Sequence, residues 1–337
     1  MLDQLQRAHE IRATDLESLP DEVTRGARPV VLREAVADWP FVREALRSDE
    51  AAIAYLNRFY NNSPINVLVA PPSERGRFFY RPDSKQMNFE STPALLPDVL
   101  EALLEQRASE DPAAIAMQAI SAPDCLPGFE EENRNRFVPA GSQGRVWIGN
   151  AVTVAPHFDV AENIACAVAG RRRFILFPPD QTANIYPGPM DITPANVPIS
   201  MVSMEDGELD RFPRYREALN AAFVAELEPG DAIYIPYLWW HGVQSLTGFN
   251  VLVNYWFNSD QAAAQYPFVA LLRLAYQAFR AMRPDHRDAW RAVYDHYVFQ
   301  AGGYPLDAIA PQHRDAERPV DPADIARLNH ALRQLLG

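Results

Sequence analysis

Two histidines and one aspartate stand apart from the rest of the chain. His157-Phe158-Asp159 sets an imidazole and a carboxylate two residues apart, so in extended backbone both project from the same side. His241 ends the apolar run Pro-Gly-Asp-Ala-Ile-Tyr-Ile-Pro-Tyr-Leu-Trp-Trp-His at 229–241. Two imidazoles and one carboxylate on one face of a metal are the donor set of non-haem iron(II) oxygenases, which leaves three coordination positions for reactants. A His-x-Asp pair alone arises by chance in many chains; a distant histidine after an apolar strand, with β-rich sequence between, adds weight. His9, His286, His296, His313 and His330 sit among charged, helix-like residues and show no such pattern. Trp239 and Trp240 read as packing residues beside His241.

These three residues can meet only if strands carry them together. From 145 to 257 the sequence supplies such strands: RVWIGNAVTVAP, ENIACAVAG, RRRFILFPP, DAIYIP and FNVLVNYWF. Twenty-nine prolines, many of them bounding short apolar runs, fit a β-sandwich or barrel built of many short strands. Residues 1–60 read as mixed structure with a strand at Pro29–Leu32, and 94–106 as an amphipathic helix. Residues 180–227 read as a long polar excursion, of a length that is more often functional than incidental. After Asn258 the period changes. Phe268, Leu271, Leu272, Ala275, Phe279 and Met282 recur at helical spacing, Trp290, Val293, Tyr294 and Tyr297 form a second stripe, and Pro284 divides the two. The expected division is therefore 1–258, a catalytic domain, and 259–337, a helical region.

Composition sets the outer limits. Hydrophobic residues are 48% and charged residues 22% of the 337, enough apolar surface for a buried core. No run of 18 apolar residues occurs, so no membrane span is expected. Two cysteines, Cys125 and Cys166, are too few for a disulfide scaffold or a four-cysteine zinc site. Thirty-one basic residues, all arginine but Lys85, against 44 acidic ones give a net charge of −13, which argues against nucleic acid as a partner. The N-terminal MLDQLQRAHEIRATDLESL has charges where a signal peptide needs an apolar stretch, and a cytoplasmic protein is expected.

The words HFDVAENIACAVAGRRRFILFPPDQ (157–181), DRFPRY (210–215), PGDAIYIPYLWWH (229–241) and NVLVNYWF (250–257), with RPVVLREAVADWP (28–40) upstream, carry a resemblance. Together they are similar to the JmjC-related cupin family of iron(II)- and 2-oxoglutarate-dependent dioxygenases, in the branch containing the asparaginyl hydroxylase of hypoxia signalling. The resemblance covers roughly 25–260. It implies a mainly β fold with flanking helices around a double-stranded β-helix, the jelly roll of cupins. It implies Fe(II) on His157, Asp159 and His241, and 2-oxoglutarate as cosubstrate. Asn163 and Asn254 match positions whose amides help to hold the cosubstrate or metal-bound groups. Dimerisation through C-terminal helices also occurs in this branch. That suits the breadth of the helical stripes here, which Val269, Leu271, Leu274 and Tyr276 widen beyond what one buried face requires.

Two positions depart from the family pattern. Its lysine for the distal carboxylate of 2-oxoglutarate falls on Arg172, which keeps the charge and offers a fork in place of a point donor. A threonine found in some relatives three residues before the first iron-ligand histidine is Val154, with Thr153 the nearest hydroxyl. In an extended strand Arg172, Phe174 and Leu176 share one side, and Arg173, Ile175 and Phe177 the other. Both sides are apolar beyond the arginines, so periodicity does not say which arginine points inward.

The expected activity is hydroxylation of a protein, peptide or amino-acid side chain, coupled to conversion of 2-oxoglutarate to succinate and CO2. Tyr80, Gln118 and Trp256 are candidates for the substrate mouth. Two other readings stand beside this one: a non-catalytic cupin-like binding protein, and a metal-dependent cupin enzyme that does not use 2-oxoglutarate. No chromatin-reading module, zinc-finger spacing or basic tail is present to point to histones.

Overall fold

The computed structural model describes residues 5–81, 85–193, 197–204, 208–260 and 266–310, together with 327 and 330. His313 lies outside them. The chain divides into two compact units, Met1–Phe257 and Asn258–Gly337.

The first unit is a double-stranded β-helix of two facing sheets. In the smaller, the strands run Gln6–Arg7, Phe223–Leu227, Arg172–Phe177, Trp240–Ser245, Thr153–Phe158 and Arg77–Phe78 across the sheet. In the larger the order is His9–Arg12, Val30–Arg33, Ala232–Ile235, Glu162–Ala169, Asn250–Phe257, Gly144–Gly149, Ala114–Ser121, Ile65–Ala70 and Glu90–Ala94. The central strands pair antiparallel, and from Thr153–Phe158 to Asn250–Phe257 successive ones alternate between the sheets except for the hairpin of Arg172–Phe177 with Phe223–Leu227.

Alternation along these strands builds three apolar layers. Ala165, Ala167, Phe174, Leu176, Ile233, Ile235 and Leu252 point between the sheets. Ile164, Cys166, Val168, Val251 and Val253 point the other way, onto a layer that includes the helices Pro40–Arg47, Asp49–Asn57 and Leu96–Gln106. Ile175, Phe177 and Trp240 leave the far face of the small sheet and pack under Ile185, Val202, Met204, Phe212 and Tyr215. With both faces of each sheet covered, strands read as continuous apolar runs and not as alternating ones.

Two turns set the geometry that matters below. Gly170, at φ +69°, links the Glu162–Ala169 and Arg172–Phe177 strands, and a Cβ there would collide with Thr247 and Asn250. At 228–231, the Asp231 carboxylate accepts from the backbone N–H groups of Glu34 (3.0 Å) and Glu228 (3.1 Å) and from the Arg33 guanidinium. This pins the entry to the Ala232–Ile235 strand.

Most expected elements appear near their places: the helix Leu96–Gln106, the strand Val30–Arg33, and the C-terminal helices Phe268–Arg280 and Pro284–Tyr297. Two expectations need correction. His9 is not in helix-like surroundings but in the strand His9–Arg12, held by parallel pairing with Val30–Arg33; tertiary pairing overrides the weak local preference of a charged segment. The excursion at 180–227 is shorter than expected, because it closes with the helix Tyr215–Asn220 and the strand Phe223–Leu227. That strand pairs along Arg172–Leu176. Among the described residues no helix is long and apolar enough to cross a membrane.

Candidate active site

His157 and His241 are direct cross-strand partners, one on Thr153–Phe158 and the other on Trp240–Ser245. Their rings lie 4.4 Å apart between centroids. Asp159 follows at the end of the first strand, and its backbone carbonyl accepts from Leu238 N–H at 3.2 Å, which ties it to the loop before His241. One ligand atom from each of His157, Asp159 and His241 lies within 4.8 Å of the others. A β-register error of a single residue would separate them, since it turns every side chain to the opposite face.

The donor atoms are oriented from behind. His157 Nδ1 is 3.0 Å from the carbonyl of Ala155, and His241 Nδ1 is 3.0 Å from that of Trp239. A carbonyl only accepts, so each Nδ1 carries the proton and each Nε2 keeps its lone pair for a metal. Burial, with the neighbouring His157, pushes the His241 pKa down to about 4, which keeps the ring neutral. Asp159 Oδ2 accepts from Trp256 Nε1–H at 2.8 Å and from the Asn163 amide at 3.3 Å, and stands 3.6 Å from His241 Nε2. Asn254 donates to Asn163 Oδ1 (3.0 Å), and Trp147 Nε1–H donates to Asn254 Oδ1 (2.6 Å). A continuous side-chain relay therefore runs from Trp147 to the carboxylate, of the kind that fixes metal ligands in place.

The group opens into a cavity between the two sheets. Arg172 lines it, and Arg173 does not: the Arg173 guanidinium turns outward and donates twice to Glu226, at 2.8 and 2.6 Å. Arg172 is buried; among the described residues its Nε has no partner, and its only hydrogen bond is a long one of 3.5 Å to the carbonyl of Trp147. Desolvation lowers its pKa to about 10. A guanidinium sealed from water without an anion costs several kcal/mol, so this end of the cavity is built for an anion. The donor set His157, Asp159 and His241 likewise suits a divalent transition metal.

The remaining candidates fall in different places. Asn163, Asn254, Gln118 and Trp256 line the cavity. Trp256 is tied to the ligand carboxylate. Gln118 reaches the cavity through a bulge, where the register slips between Met117 and Ile120 and Ala119 takes φ +52°. Thr153 lies in a neighbouring depression with Arg77, Phe79, Val202, Ser203 and Met204, while Val154 takes the cavity wall. Tyr80 is buried, its hydroxyl donating to the carbonyl of Ile192 at 3.2 Å, and it is not among the cavity residues. Sequence reading missed Trp147 and the apolar wall of Leu68, Phe78, Phe89, Val197 and Ile199. Trp147 had a signal: in RVWIG it alternates with Val146 and Ile148, both of which are buried on the helix side. The wall residues are apolar positions on four separate stretches, with no signal of their own.

A jelly roll with two histidines and a carboxylate at its open end defines a cupin of the metal-site type. Comparison with known families agrees: residues 16–263 match the cupin-like domain, and the chain belongs to that family, in its JmjC-related part. It is 31% identical over 153 residues to HSPB1-associated protein 1 of Homo sapiens, covering 44% of this chain and 31% of that protein. Against the Jumonji C domain-containing protein 5 of Drosophila melanogaster it is 24% identical over 243 residues, 70% of this chain and 56% of that protein. With the human bifunctional peptidase and (3S)-lysyl hydroxylase JMJD7 it shares 25% over 272 residues, 69% of this chain and 78% of that one. The match thus spans about a third of the first of these relatives.

Proposed function

We propose that this chain is an Fe(II)- and 2-oxoglutarate-dependent oxygenase that hydroxylates a side chain of a protein, peptide or amino acid. One observation carries the reading: a preorganised His-Asp-His donor group and a buried, anion-seeking arginine face the same cavity. His157, Asp159 and His241 would hold the metal through two Nε2 atoms and a carboxylate oxygen. Arg172 would receive the distal carboxylate of 2-oxoglutarate in a charge-assisted contact. When bound, Fe(II) and 2-oxoglutarate supply the oxidising chemistry, in which O2 is consumed, 2-oxoglutarate becomes succinate and CO2, and one oxygen atom enters the substrate.

The chain's own residues do the rest. The carbonyls of Ala155 and Trp239 keep both imidazoles in the ligating tautomer. Trp256 and Asn163 hold the Asp159 carboxylate in place. Phe174, Val243 and Leu252 keep the cavity floor dry, which strengthens each electrostatic contact inside it. The relatives support an action on proteins, one of them being named a lysyl hydroxylase. Iron-dependent formation of succinate from 2-oxoglutarate tests the proposal. The wild-type chain should form succinate, Asp159→Ala should fall to the level of metal-free protein, and equal rates in the two would refute it.

The same reading includes a homodimer through the C-terminal helices. Its support is the apolar area these helices leave uncovered: Leu272 and Tyr276 are each 49% exposed and Tyr297 is 63% exposed. Light scattering should return about twice the 37.9 kDa of one chain; a single-chain mass would refute it.

A further inference from the structure

We infer that Trp147 is a positioning residue for the cosubstrate: its indole N–H fixes which edge two cavity amides turn toward a bound carboxylate. The inference rests on the metal and 2-oxoglutarate reading of the site. The relay behind Asp159 has a polarity. An indole N–H only donates, and an ionised carboxylate only accepts. Trp147 Nε1–H donates to Asn254 Oδ1 (2.6 Å), Asn254 Nδ2 to Asn163 Oδ1 (3.0 Å), and Asn163 Nδ2 to Asp159 Oδ2 (3.3 Å). Every bond runs the same way. Turning Asn254 over would set N–H against N–H at the tryptophan, and turning Asn163 over would set oxygen against oxygen at the aspartate. Both amides are buried, where an unmade hydrogen bond is costly.

This polarity decides what the cavity presents. Each amide nitrogen carries two hydrogens and spends one in the relay. The second has no acceptor among the described residues, and Asn163 and Asn254 both line the cavity. Both amide oxygens are already taken. A carboxylate beside the metal ligands therefore meets N–H donors. Trp147 also borders the other end of the cosubstrate, since its carbonyl accepts from Arg172 at 3.5 Å. Its backbone stands between Leu252 on one neighbouring strand and the Gln118–Ala119 bulge on the other. Its ring packs edge-on against Trp256 at 6.0 Å, and Trp256 in turn holds Asp159. A role in packing and a role for the N–H are thus both available to this side chain, and they predict different variants to fail.

Trp147→Phe keeps an aromatic ring against Trp256 and deletes the donor. Trp147→His loses the larger ring but keeps a ring N–H, at Nε2, in the place of the indole nitrogen. The full chain, loaded with Mn(II) and without O2, is titrated with 2-oxoglutarate in a calorimeter at about pH 8, where the introduced imidazole is neutral. Trp147→Phe should bind 2-oxoglutarate about tenfold more weakly than wild type, the scale of one lost hydrogen bond to a charged group. Trp147→His should bind it at least about threefold more tightly than Trp147→Phe. A packing role predicts the reverse order. A histidine variant equal to or weaker than the phenylalanine one, or a phenylalanine variant with wild-type affinity, would overturn the inference. Should the histidine variant fail to fold, a double-mutant cycle decides. In Asn254→Ala the further change Trp147→Phe should cost less than about twofold, because the amide it orients is gone, and an undiminished loss there would overturn the inference as well. Saturable 2-oxoglutarate binding that ignores residue 147 removes this inference alone. No Mn(II)-dependent binding in the wild type removes the reading of the site and the inference with it.

Discussion

The two units of this chain solve the same problem in opposite ways. Among the described residues of Met1–Phe257 three large apolar side chains are exposed, Leu46, Val69 and Leu95, while every central strand buries residues on both faces. In Asn258–Gly337 the helices Phe268–Arg280 and Pro284–Tyr297 bury no residue, and twelve large apolar side chains between Phe268 and Ile309 are exposed. The helices do meet each other, Phe279 packing edge-on to Trp290 (6.0 Å) and Tyr294 (5.7 Å). That contact uses one stripe and leaves the rest. An apolar pattern thus specifies secondary structure equally well in both units, and among the described residues the helices of the second leave most of theirs exposed.

The largest contrast should appear in core truncation. Phe129 is fully buried, with edge-to-face contacts to Phe41 (5.6 Å) and Phe59 (5.9 Å). Phe129→Ala should cost about 3–5 kcal/mol in urea unfolding. A loss as small as that of a surface substitution would break the comparison by showing that this layer is plastic.

Inside the cavity, Arg172→Ala should weaken 2-oxoglutarate binding by about 2–4 kcal/mol, the worth of a charge-assisted forked contact. Mn(II) binding should change little, since the hydrogen bond of Arg172 among the described residues goes to the carbonyl of Trp147 and to none of the three donors. Titration calorimetry of each ligand separates the two effects, and an unaltered 2-oxoglutarate affinity would remove Arg172 from its role.

Trp256→Phe keeps the ring and deletes the N–H that holds Asp159. Metal affinity should fall by about 10- to 100-fold, as for other partners standing behind metal ligands. Competition with a chelator measures it; a fall confined to peptide affinity would make Trp256 a substrate contact instead.

The smallest effect on folding belongs to the helices. Leu272→Asp should leave the unfolding free energy of the Met1–Phe257 unit within about 0.5 kcal/mol, since Leu272 lies outside that unit. The same variant should reduce the mass in solution to one chain of 37.9 kDa. A variant that stays dimeric would move the interface away from this stripe.

Much of the site was legible before any fold was known, because its signals are local. His157 and Asp159 are two positions apart, and a strand makes that spacing a shared face. His241 stands at the end of an apolar run long enough to reach the same end of a sheet. The helices beyond Asn258 were legible for the same reason, through a period of 3.6 confined to a dozen residues. What only tertiary structure decided was the direction in which ambiguous residues face. Arg172 and Arg173 are neighbours on a strand whose two faces are both apolar, since the small sheet is covered from outside by Ile185, Met204 and Tyr215. Nothing local separates them. Pairing with Ser245 and Leu227 turns Arg172 into the cavity, and Glu226 on the adjacent strand draws Arg173 out. Gln118 depends on a register slip, and the wall from Leu68 to Ile199 on segments more than a hundred residues apart. Sequence alone determined which donors exist and which of them share a face; long-range strand pairing decided what surrounds them, because a cavity is a property of facing sheets and of no single strand.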